Sequence, residues 1–320
     1  MTPVAEELSS SAIIYMMVSP MRVIFKRYNP SETGFAAVLL APLLLGLGVF
    51  YMYPLFRTIF YSFTRWGMFG GHTWIGLSNY VRIISDIQVW SALKNTVIYA
   101  FCVVPLSIVL AILISCLLNG GIRGLGIYRT IFFLPAVTIP AAIALVWRYT
   151  IYEFNSGILN SVISFFGGTK IGWLTNPGYV MLSLVVVGVW GSLGRAIVIF
   201  LAGLQGIHRS YYEAAEIDGA GVIHRFFSIT LPLLTPVIFF TLLTQVIAAL
   251  QVYDLIYMMF SQEGNPAMFN VQSLVYVFYR NAFIINDKGY ASAIAVLLLL
   301  VTMVFTVVNF AGQKKWVHYD

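Results

Sequence analysis

Glu213-Ala-Ala-Glu-Ile-Asp-Gly219 and, further on, Ile229-Thr-Leu-Pro232 form a polar stretch between two long apolar segments. Ser210 stands three residues before Glu213, which is the spacing of a capping box, where a serine hydroxyl and a glutamate each bind a backbone N–H of the first helical turn. Gly219 can adopt the left-handed conformation that ends many helices. The pattern therefore predicts a two-turn helix over 211–218. Its exposed face would carry Tyr211, Ala214, Ala215 and Asp218, and the two alanines would let another protein approach closely.

The composition indicates a membrane protein. Of the 320 residues 60% are hydrophobic and 9% are charged, and the mean hydropathy is +0.87, whereas a soluble domain carries about 25% charged residues. The net charge is only +6, and the basic residues cluster near the ends of apolar segments. That distribution favours orientation in a lipid membrane and argues against a nucleic-acid partner.

The sequence contains no pattern that points to an enzyme. We find no Ser/His/Asp set, no metal-ligand spacing of His or Cys, and no Gly-x-x-x-x-Gly-Lys-Ser/Thr phosphate loop. Cys102 and Cys116 lie on one apolar segment, too far apart along a helix for a disulfide. We therefore predict no catalytic residue, no metal and no cofactor bound by this chain, and the chain cannot hydrolyse ATP itself.

Apolar segments of membrane-crossing length divide the chain into six predicted transmembrane helices. They run approximately over 35–56, 96–118, 130–150, 180–201, 233–260 and 291–310. The fold prediction is thus an all-α polytopic membrane protein, with residues 35–320 as one transmembrane domain. Residues 1–34 are expected to be a tail with an interfacial helix, because their apolar run is short and is interrupted by Pro20.

The basic residues predict which side of the membrane each loop occupies. Six spans place both termini on one side, and that side, with the loops 119–129 and 205–230, holds nine Lys and Arg against six on the other. Because positive charge is retained in the cytoplasm, both termini and the 205–232 loop are predicted to be cytoplasmic.

The spacing of the opening stretch resembles the EAA loop of ATP-binding-cassette importer permeases. That pattern is filled here at Glu213, Ala214, Ala215, Gly219, Ile229, Leu231 and Pro232. The resemblance implies a type I importer permease fold, in which the 205–232 loop couples the chain to a cytoplasmic ATPase. The coupling residues would be Glu213, Ala214, Ala215, Asp218 and Gly219, and ATP and Mg would be bound by the partner ATPase.

Shorter fragments resemble the sugar-importer branch of the same permeases. They are Gly76–Tyr80, Asn95-Thr96, Phe132–Pro135 and Gly157–Asn160. This similarity implies a carbohydrate substrate, including mono- and oligosaccharides, acidic sugars and glycerol phosphate. It also implies a bacterial inner membrane, a second homologous permease subunit, two ATPase subunits and an extracytoplasmic solute-binding protein.

Charged residues inside a bilayer are costly and indicate function or pairing. Arg195 lies mid-span among glycines and would contact either an anionic substrate or a carboxylate on a neighbouring helix. Asp254 would meet sugar hydroxyls, pair with Arg195, or form an interhelical hydrogen bond. Helical spacing places Gln251, Tyr253, Asp254 and Tyr257 close to one stripe of the fifth span. With Arg195, these residues form the predicted translocation path.

An ion-coupled secondary transporter acting alone is the alternative function. It would need carboxylates within the membrane and often an inverted repeat. Asp254 is the one such carboxylate that stands out, and no internal symmetry is apparent. Dependence of transport on a partner ATPase would separate the two interpretations.

Overall fold

The computed structural model describes residues 30–66, 71–120, 124–262 and 264–317. The chain separates into two units, Met1–Arg57 and Thr58–Asp320. The described part of the first unit is helical, comprising Pro30–Leu47, the π-helix Gly48–Met52 and the start of Tyr53–Ser62. The predicted interfacial helix of the tail lies outside the described residues, and the division at residue 34 stays a prediction.

The second unit is almost wholly helical. Its longer helices are Ile87–Asn119, Leu125–Val137, Thr235–Leu250, Val180–Gly206 and Lys288–Trp316. Its shorter α-helices are Ser78–Ser85, Pro140–Val146, Ile158–Phe165, Arg209–Ile217, Val222–Arg225, Leu231–Leu233, Asp254–Phe260 and Leu274–Tyr279. The π-helices Trp147–Ile151, Phe226–Thr230 and Arg280–Ile284, the 3₁₀ turn Met268–Asn270, and an antiparallel pair of strands, Thr64–Trp66 and His72–Trp74, complete it.

By length and composition, four helices of the described chain could cross a membrane, and up to six spans result when each bent pair counts as one. Four spans are single helices: span 1 is Gly34–Ser62, span 2 is Ile87–Asn119, span 4 is Val180–Gly206 and span 6 is Lys288–Lys314. Two spans are bent pairs: span 3 is Leu125–Val137 with Pro140–Ile151, and span 5 is Val222–Leu233 with Thr235–Leu250. The fold prediction is confirmed, but three predicted details are wrong.

The first correction concerns span 2, which begins at Ile87 rather than near residue 96. Asp86 caps it, because its carboxylate accepts a hydrogen bond from the backbone N–H of Gln88 at 2.8 Å. The described residues between 64 and 93 are mostly structured, as the two strands, the helix Ser78–Ser85 and the first turns of span 2.

The second correction concerns span 3, which is two helices meeting at 107°. The break falls at Thr138 and Ile139, both extended, directly before Pro140. Proline disfavours the helical conformation of the residue before it and lacks the N–H that would continue the helix. Pro140 thus opens a new helix, whereas Pro135 is accommodated within the first one.

The third correction concerns span 5, which does not continue to residue 260. Its second half ends at Leu250, and the helix Asp254–Phe260 begins only after a three-residue interruption. The Ser273 hydroxyl donates to the Val252 carbonyl at 2.6 Å within this interruption. Gln251 is therefore not on the same helix as Asp254. The predicted stripe of Gln251, Tyr253, Asp254 and Tyr257 along one helix does not form.

Glycines allow span 4 to pack closely against its neighbours. A Cβ atom at Gly188 would lie 2.3 Å from the Tyr99 hydroxyl of span 2, and one at Gly203 would lie 2.9 Å from Val237 of span 5. Packing at such distances is available only to glycine. The core formed around span 4 includes the fully buried Leu184 and Phe200.

Three buried asparagines fix the long connections that follow spans 1, 3 and 5. Asn79 donates to the carbonyls of Ser62 and Thr64, and Asn95 to those of Phe269 and Gln272. Asn160 donates to Phe154 and Ile171 carbonyls, and its oxygen accepts from the N–H groups of Ile171 and Trp173. Each asparagine belongs to a fragment that resembles sugar-importer sequences, so these fragments have a structural role in the fold.

Candidate functional site

The break in span 3 and the interruption after span 5 meet at one cavity of about 290 Å³. Spans 2, 3, 4 and 5 and the interruption after span 5 all contribute to its wall. The lining residues are Tyr99, Val103, Val104, Pro135, Ala136, Thr138, Pro140, Ile143, Gly188, Gly191, Ser192, Arg195, Gln245, Ala248, Ala249 and 251–255. Non-helical backbone is tolerated at membrane depth where it is buried in protein or lines a cavity, and Thr138 and residues 251–253 line this one.

Four of the five residues predicted for the translocation path line this cavity. Arg195 comes from span 4, and Gln251 and Tyr253 come from the interruption after span 5. Asp254 is the first residue of the helix that follows the interruption. Arg195, Gln251 and Asp254 are exposed in the single chain. The structure therefore brings together residues that are far apart in the sequence, although by a different local geometry from the predicted stripe.

Tyr257 lies beside the cavity rather than in its wall. Its ring stacks on Tyr253 with centroids 5.4 Å apart, and Tyr279 packs against both rings at 5.1 and 5.4 Å. Aromatic pairs at such distances stabilise one another beyond their buried area. Tyr257 thus positions Tyr253, a cavity residue, together with a tyrosine that the sequence analysis did not single out.

Arg195 and Asp254 do not pair with each other. The ion pairs among the described residues are Arg82–Asp287, Arg209–Glu213 and Arg225–Glu216. Neither Arg195 nor Asp254 takes part in one, so the expected structural pair of Arg195 with a carboxylate is not formed within the described chain. Both charges are available to a molecule that enters the cavity.

Several polar cavity residues escaped the sequence analysis. Ser192 lies on the same face of span 4 as Gly188, Gly191 and Arg195, a spacing that was readable in the sequence. Gln245 is an isolated amide in the apolar run of span 5, and Tyr99 and Thr138 also line the cavity. A polar residue in an apolar run is a signal of function that could have identified Gln245.

Arg148 links two segments that lie next to the cavity. Its guanidinium donates to the Met258 carbonyl at 2.6 Å and lies over the Tyr149 ring. This bond joins the segment after the break in span 3 to the helix Asp254–Phe260, which follows the interruption after span 5. The segment that follows the break in span 3 and the segment that follows the interruption after span 5 are therefore linked by a hydrogen bond.

The polar stretch quoted first forms the helix Arg209–Ile217. No capping box forms: His208 is the N-cap residue, and Ser210 lies in the first turn with its hydroxyl 3.2 Å from Nδ1 of His208. The C-terminal end matches the prediction, because Gly219 has a φ of +76°. The N–H groups of Gly219 and Ala220 donate to the carbonyls of Glu216 and Ala215, which is the Schellman pattern.

The helix Arg209–Ile217 presents an open surface. Glu213, Ala214, Asp218 and Gly219 are exposed, Ala215 is half-buried, and Ile217 is 88% exposed. An open cleft of about 760 Å³ runs beside the helix. It is lined by Asn119, Leu204, Gln205, Ile207, Arg209, Tyr212, Glu213 and Glu216.

Two polar contacts join this helix to the start of span 5. The Tyr212 hydroxyl lies 3.0 Å from Oγ1 of Thr230, and the Arg225 guanidinium lies 3.3 Å from the Glu216 carboxylate. Thr230 is buried at the end of the π-helix Phe226–Thr230, which leads into span 5. Side-chain contacts thus connect the exposed helix Arg209–Ile217 to span 5, in addition to the polypeptide backbone, and span 5 leads to the cavity.

Comparisons with known proteins agree with this geometry. The family described as "Binding-protein-dependent transport system inner membrane component" matches residues 89–316. The chain is 38% identical to a probable ABC transporter permease, YesP, of Bacillus subtilis (strain 168), over 90% of this chain and 92% of the relative. It is 32% identical to the lactose transport system permease LacF of Rhizobium radiobacter, over 93% and 99% of the two chains.

A solved structure supports the fold independently. A chain of a bacterial ABC transporter involved in the import of the acidic polysaccharide alginate superposes with a TM-score of 0.78 at 20% identity, covering 89% of this chain and 96% of that one. The chain therefore belongs to the family of binding-protein-dependent transport system inner membrane components, and its fold is that of a type I importer permease.

Proposed function

We propose that this chain is the membrane-spanning subunit of an ATP-driven, binding-protein-dependent importer that passes a carbohydrate into the cytoplasm. The observation that carries the proposal is the cavity at the break in span 3 and the interruption after span 5, which is joined through span 5 to the exposed helix Arg209–Ile217. Movement of that helix would tilt span 5 and change the wall of the cavity.

The chemistry of the cavity supports a carbohydrate. Sugar sites combine aromatic and apolar walls with a few converging polar groups. Here Tyr99, Tyr253 and the aliphatic residues supply the aromatic and apolar walls. The polar groups are those of Arg195, Gln245, Gln251 and Asp254. Permease relatives are named for lactose, trehalose/maltose, sn-glycerol-3-phosphate and arabino-oligosaccharides, which supports the same substrate class.

We infer three kinds of partner. Two cytoplasmic ATPase subunits would supply ATP hydrolysis, one of them receiving Glu213, Ala214, Ala215, Asp218 and Gly219. A second, homologous permease would complete the cavity, since Arg195, Gln251 and Asp254 are exposed in the single chain. A solute-binding protein would deliver the substrate; the similar alginate transporter is known in complex with a periplasmic protein that holds an alginate pentasaccharide. In this arrangement both termini lie in the cytoplasm of a bacterium and the chain crosses its inner membrane.

Dependence on ATP tests the proposal. Uptake by cells that contain the whole transporter should stop when ATP is depleted and continue when the proton gradient is collapsed while ATP is maintained. Proteoliposomes that hold this chain alone should accumulate no substrate. Accumulation by the chain alone under an imposed ion gradient would contradict the proposal and favour the secondary transporter.

Replacing Asp254 and Tyr257 tests the path itself. We expect Asp254→Asn to lower uptake roughly threefold to tenfold, because one hydrogen bond of a charged acceptor is weakened, and to leave subunit assembly unchanged, because Asp254 makes no ion pair in the described chain. Tyr257→Ala should lower uptake because Tyr253 loses its stacking partner. Initial uptake rates and co-purification of the subunits are the measurements.

The matched control for Tyr257→Ala is Tyr51→Ala. Tyr51 is a 67% exposed tyrosine of span 1 and does not line the cavity, so its removal should leave the uptake rate unchanged. Wild-type uptake in both Asp254→Asn and Tyr257→Ala would remove this part of the cavity from the translocation path.

A further inference from the structure

Two polar side chains of neighbouring spans meet at the cavity wall. The Ser107 hydroxyl of span 2 lies 2.5 Å from Oε1 of Gln245 on span 5 and 3.0 Å from the Val104 carbonyl. Ser107 is completely buried and does not line the cavity, whereas Gln245 is half-buried and does. Ser107 therefore holds one end of the Gln245 amide from within the protein.

The other end of that amide has no partner among the described residues. Gln245 Nε2 forms no hydrogen bond there, although Oε1 is engaged by Ser107. An amide group removed from water without a hydrogen-bond partner is unfavourable. A solute that displaces water from this part of the cavity must therefore offer Nε2 an acceptor oxygen, and a solute that lacks one leaves the group unpaired.

Gln245 differs from the charged cavity residues in being fixed. Arg195 and Asp254 are exposed and make no ion pair in the described chain, so their side chains are free to follow a moving solute. Gln245 is held by a short bond to a buried hydroxyl. The residues one turn later on its helix, Ala248 and Ala249, are small and leave space beside it. A donor held in place discriminates between ligands better than one that can reorient.

We propose that Gln245 is a specificity-determining residue of this permease and that Ser107 is its positioning residue. Nε2 of Gln245 donates to an acceptor oxygen of the carbohydrate, either a hydroxyl or a carboxylate. The inference rests on the proposed function, because it assigns a role to one wall of the same cavity.

Solute protection of a cysteine in the cavity measures this contact without ATP-driven turnover. Ala248→Cys is the reporter, in the complete transporter with Cys102 and Cys116 replaced by alanine. A methanethiosulfonate reagent labels the reporter in the presence of increasing lactose, maltose, glycerol 3-phosphate or an alginate trisaccharide. The concentration that halves the labelling rate gives an apparent affinity for each probe.

The expected effects are changes in that concentration. Gln245→Leu should raise it about tenfold, and Ser107→Ala about threefold, for each probe that protects the unmodified cavity. Ser107→Thr retains the hydroxyl and should have the half-protecting concentration of the unmodified transporter. If Ser107 acted only by filling space, Ser107→Thr would not be expected to behave like the unmodified transporter. Gln245→Glu should weaken the two anionic probes far more than the two neutral sugars.

Two results would overturn the inference. One is an unchanged half-protecting concentration in an assembled Gln245→Leu transporter. The other, if Gln245→Leu fails to assemble, is an unchanged value in Ser107→Ala. Absence of protection by all four probes in the reporter transporter would instead count against the proposed function, and the inference would fall with it. Protection that the variants do not alter contradicts the inference alone.

Discussion

Gly219→Val is expected to abolish uptake while leaving the chain inserted in the membrane. Gly219 has a φ of +76°, and a Cβ built there would meet no atom within 4 Å. The effect of the substitution is therefore conformational and not steric. The left-handed conformation costs an L-residue about 1–2 kcal/mol, and a β-branched residue is a particular outlier there.

The consequence of that strain falls on the proposed coupling surface. The bonds from Gly219 and Ala220 to Glu216 and Ala215 close the helix Arg209–Ile217. If they open, the exposed face of Ala214 and Ala215 is no longer presented in one orientation. We expect uptake to fall at least about tenfold, since 1.4 kcal/mol corresponds to a factor of ten, and the ATPase to be lost on purification.

Gly219→Asn is the matched control, because asparagine enters the left-handed conformation more readily than other non-glycine residues. It also adds a side chain at the same exposed position, so a difference between the two variants reports the backbone and not the added bulk. We expect Gly219→Asn to retain most uptake and ATPase assembly. Equal uptake in Gly219→Val and in the unmodified protein would contradict the coupling role of this turn.

The features that could be predicted from the sequence are those set by local or periodic patterns. Apolar length located the spans, and Gly219 marked the end of its helix, because both signals are contained in a few neighbouring residues. The break in span 3 was also readable, since Pro140 restricts Ile139. The prediction of one span over 130–150 therefore missed the 107° bend.

The break after Leu250 could not be predicted in this way. The interruption Gln251-Val252-Tyr253 contains neither proline nor glycine, so local propensity would continue the helix. The Val252 carbonyl instead accepts from Ser273, which lies far along the chain, and Leu250 is completely buried. The bonds of Gln245 with Ser107 and of Arg148 with Met258 are likewise tertiary. The cavity depends on these contacts, and for that reason four of the five residues predicted for the path line it, while their helical stripe was wrong.

Gly194→Leu is expected to have the second large effect, on stability and on uptake together. Gly194 of span 4 is buried against the first half of span 3. A Cβ there would lie 2.9 Å from the Ala136 Cβ and the Phe132 carbonyl oxygen, and 3.0 Å from the Ala136 N. Because two of these atoms belong to the backbone, the helices themselves must separate. Overpacking of this kind costs about 1–3 kcal/mol.

The separation would also distort the cavity, because Ala136 and Arg195, the residue after Gly194, both line it. We expect a lower melting temperature of the purified transporter in detergent and uptake reduced by about tenfold or more. Gly194→Ala should show the same change to a smaller degree, since its Cβ alone makes the close contacts. Thermal unfolding and initial uptake rates, measured on equal amounts of membrane-inserted protein, are the readouts.

Gly191→Ala, one turn earlier on the same helix, separates the clash from the general effect of replacing a glycine. A Cβ at Gly191 would have its nearest neighbour, Ile143 Cδ1, at 3.8 Å, which is ordinary contact. Alanine in place of glycine favours a helix by about 1 kcal/mol at either position, so Gly191→Ala should be as stable as the unmodified protein or slightly more so. The difference between the two alanine variants then measures the close approach of spans 3 and 4. Equal melting temperatures for the two would mean that the helices yield without cost, and that the cavity wall does not depend on this glycine.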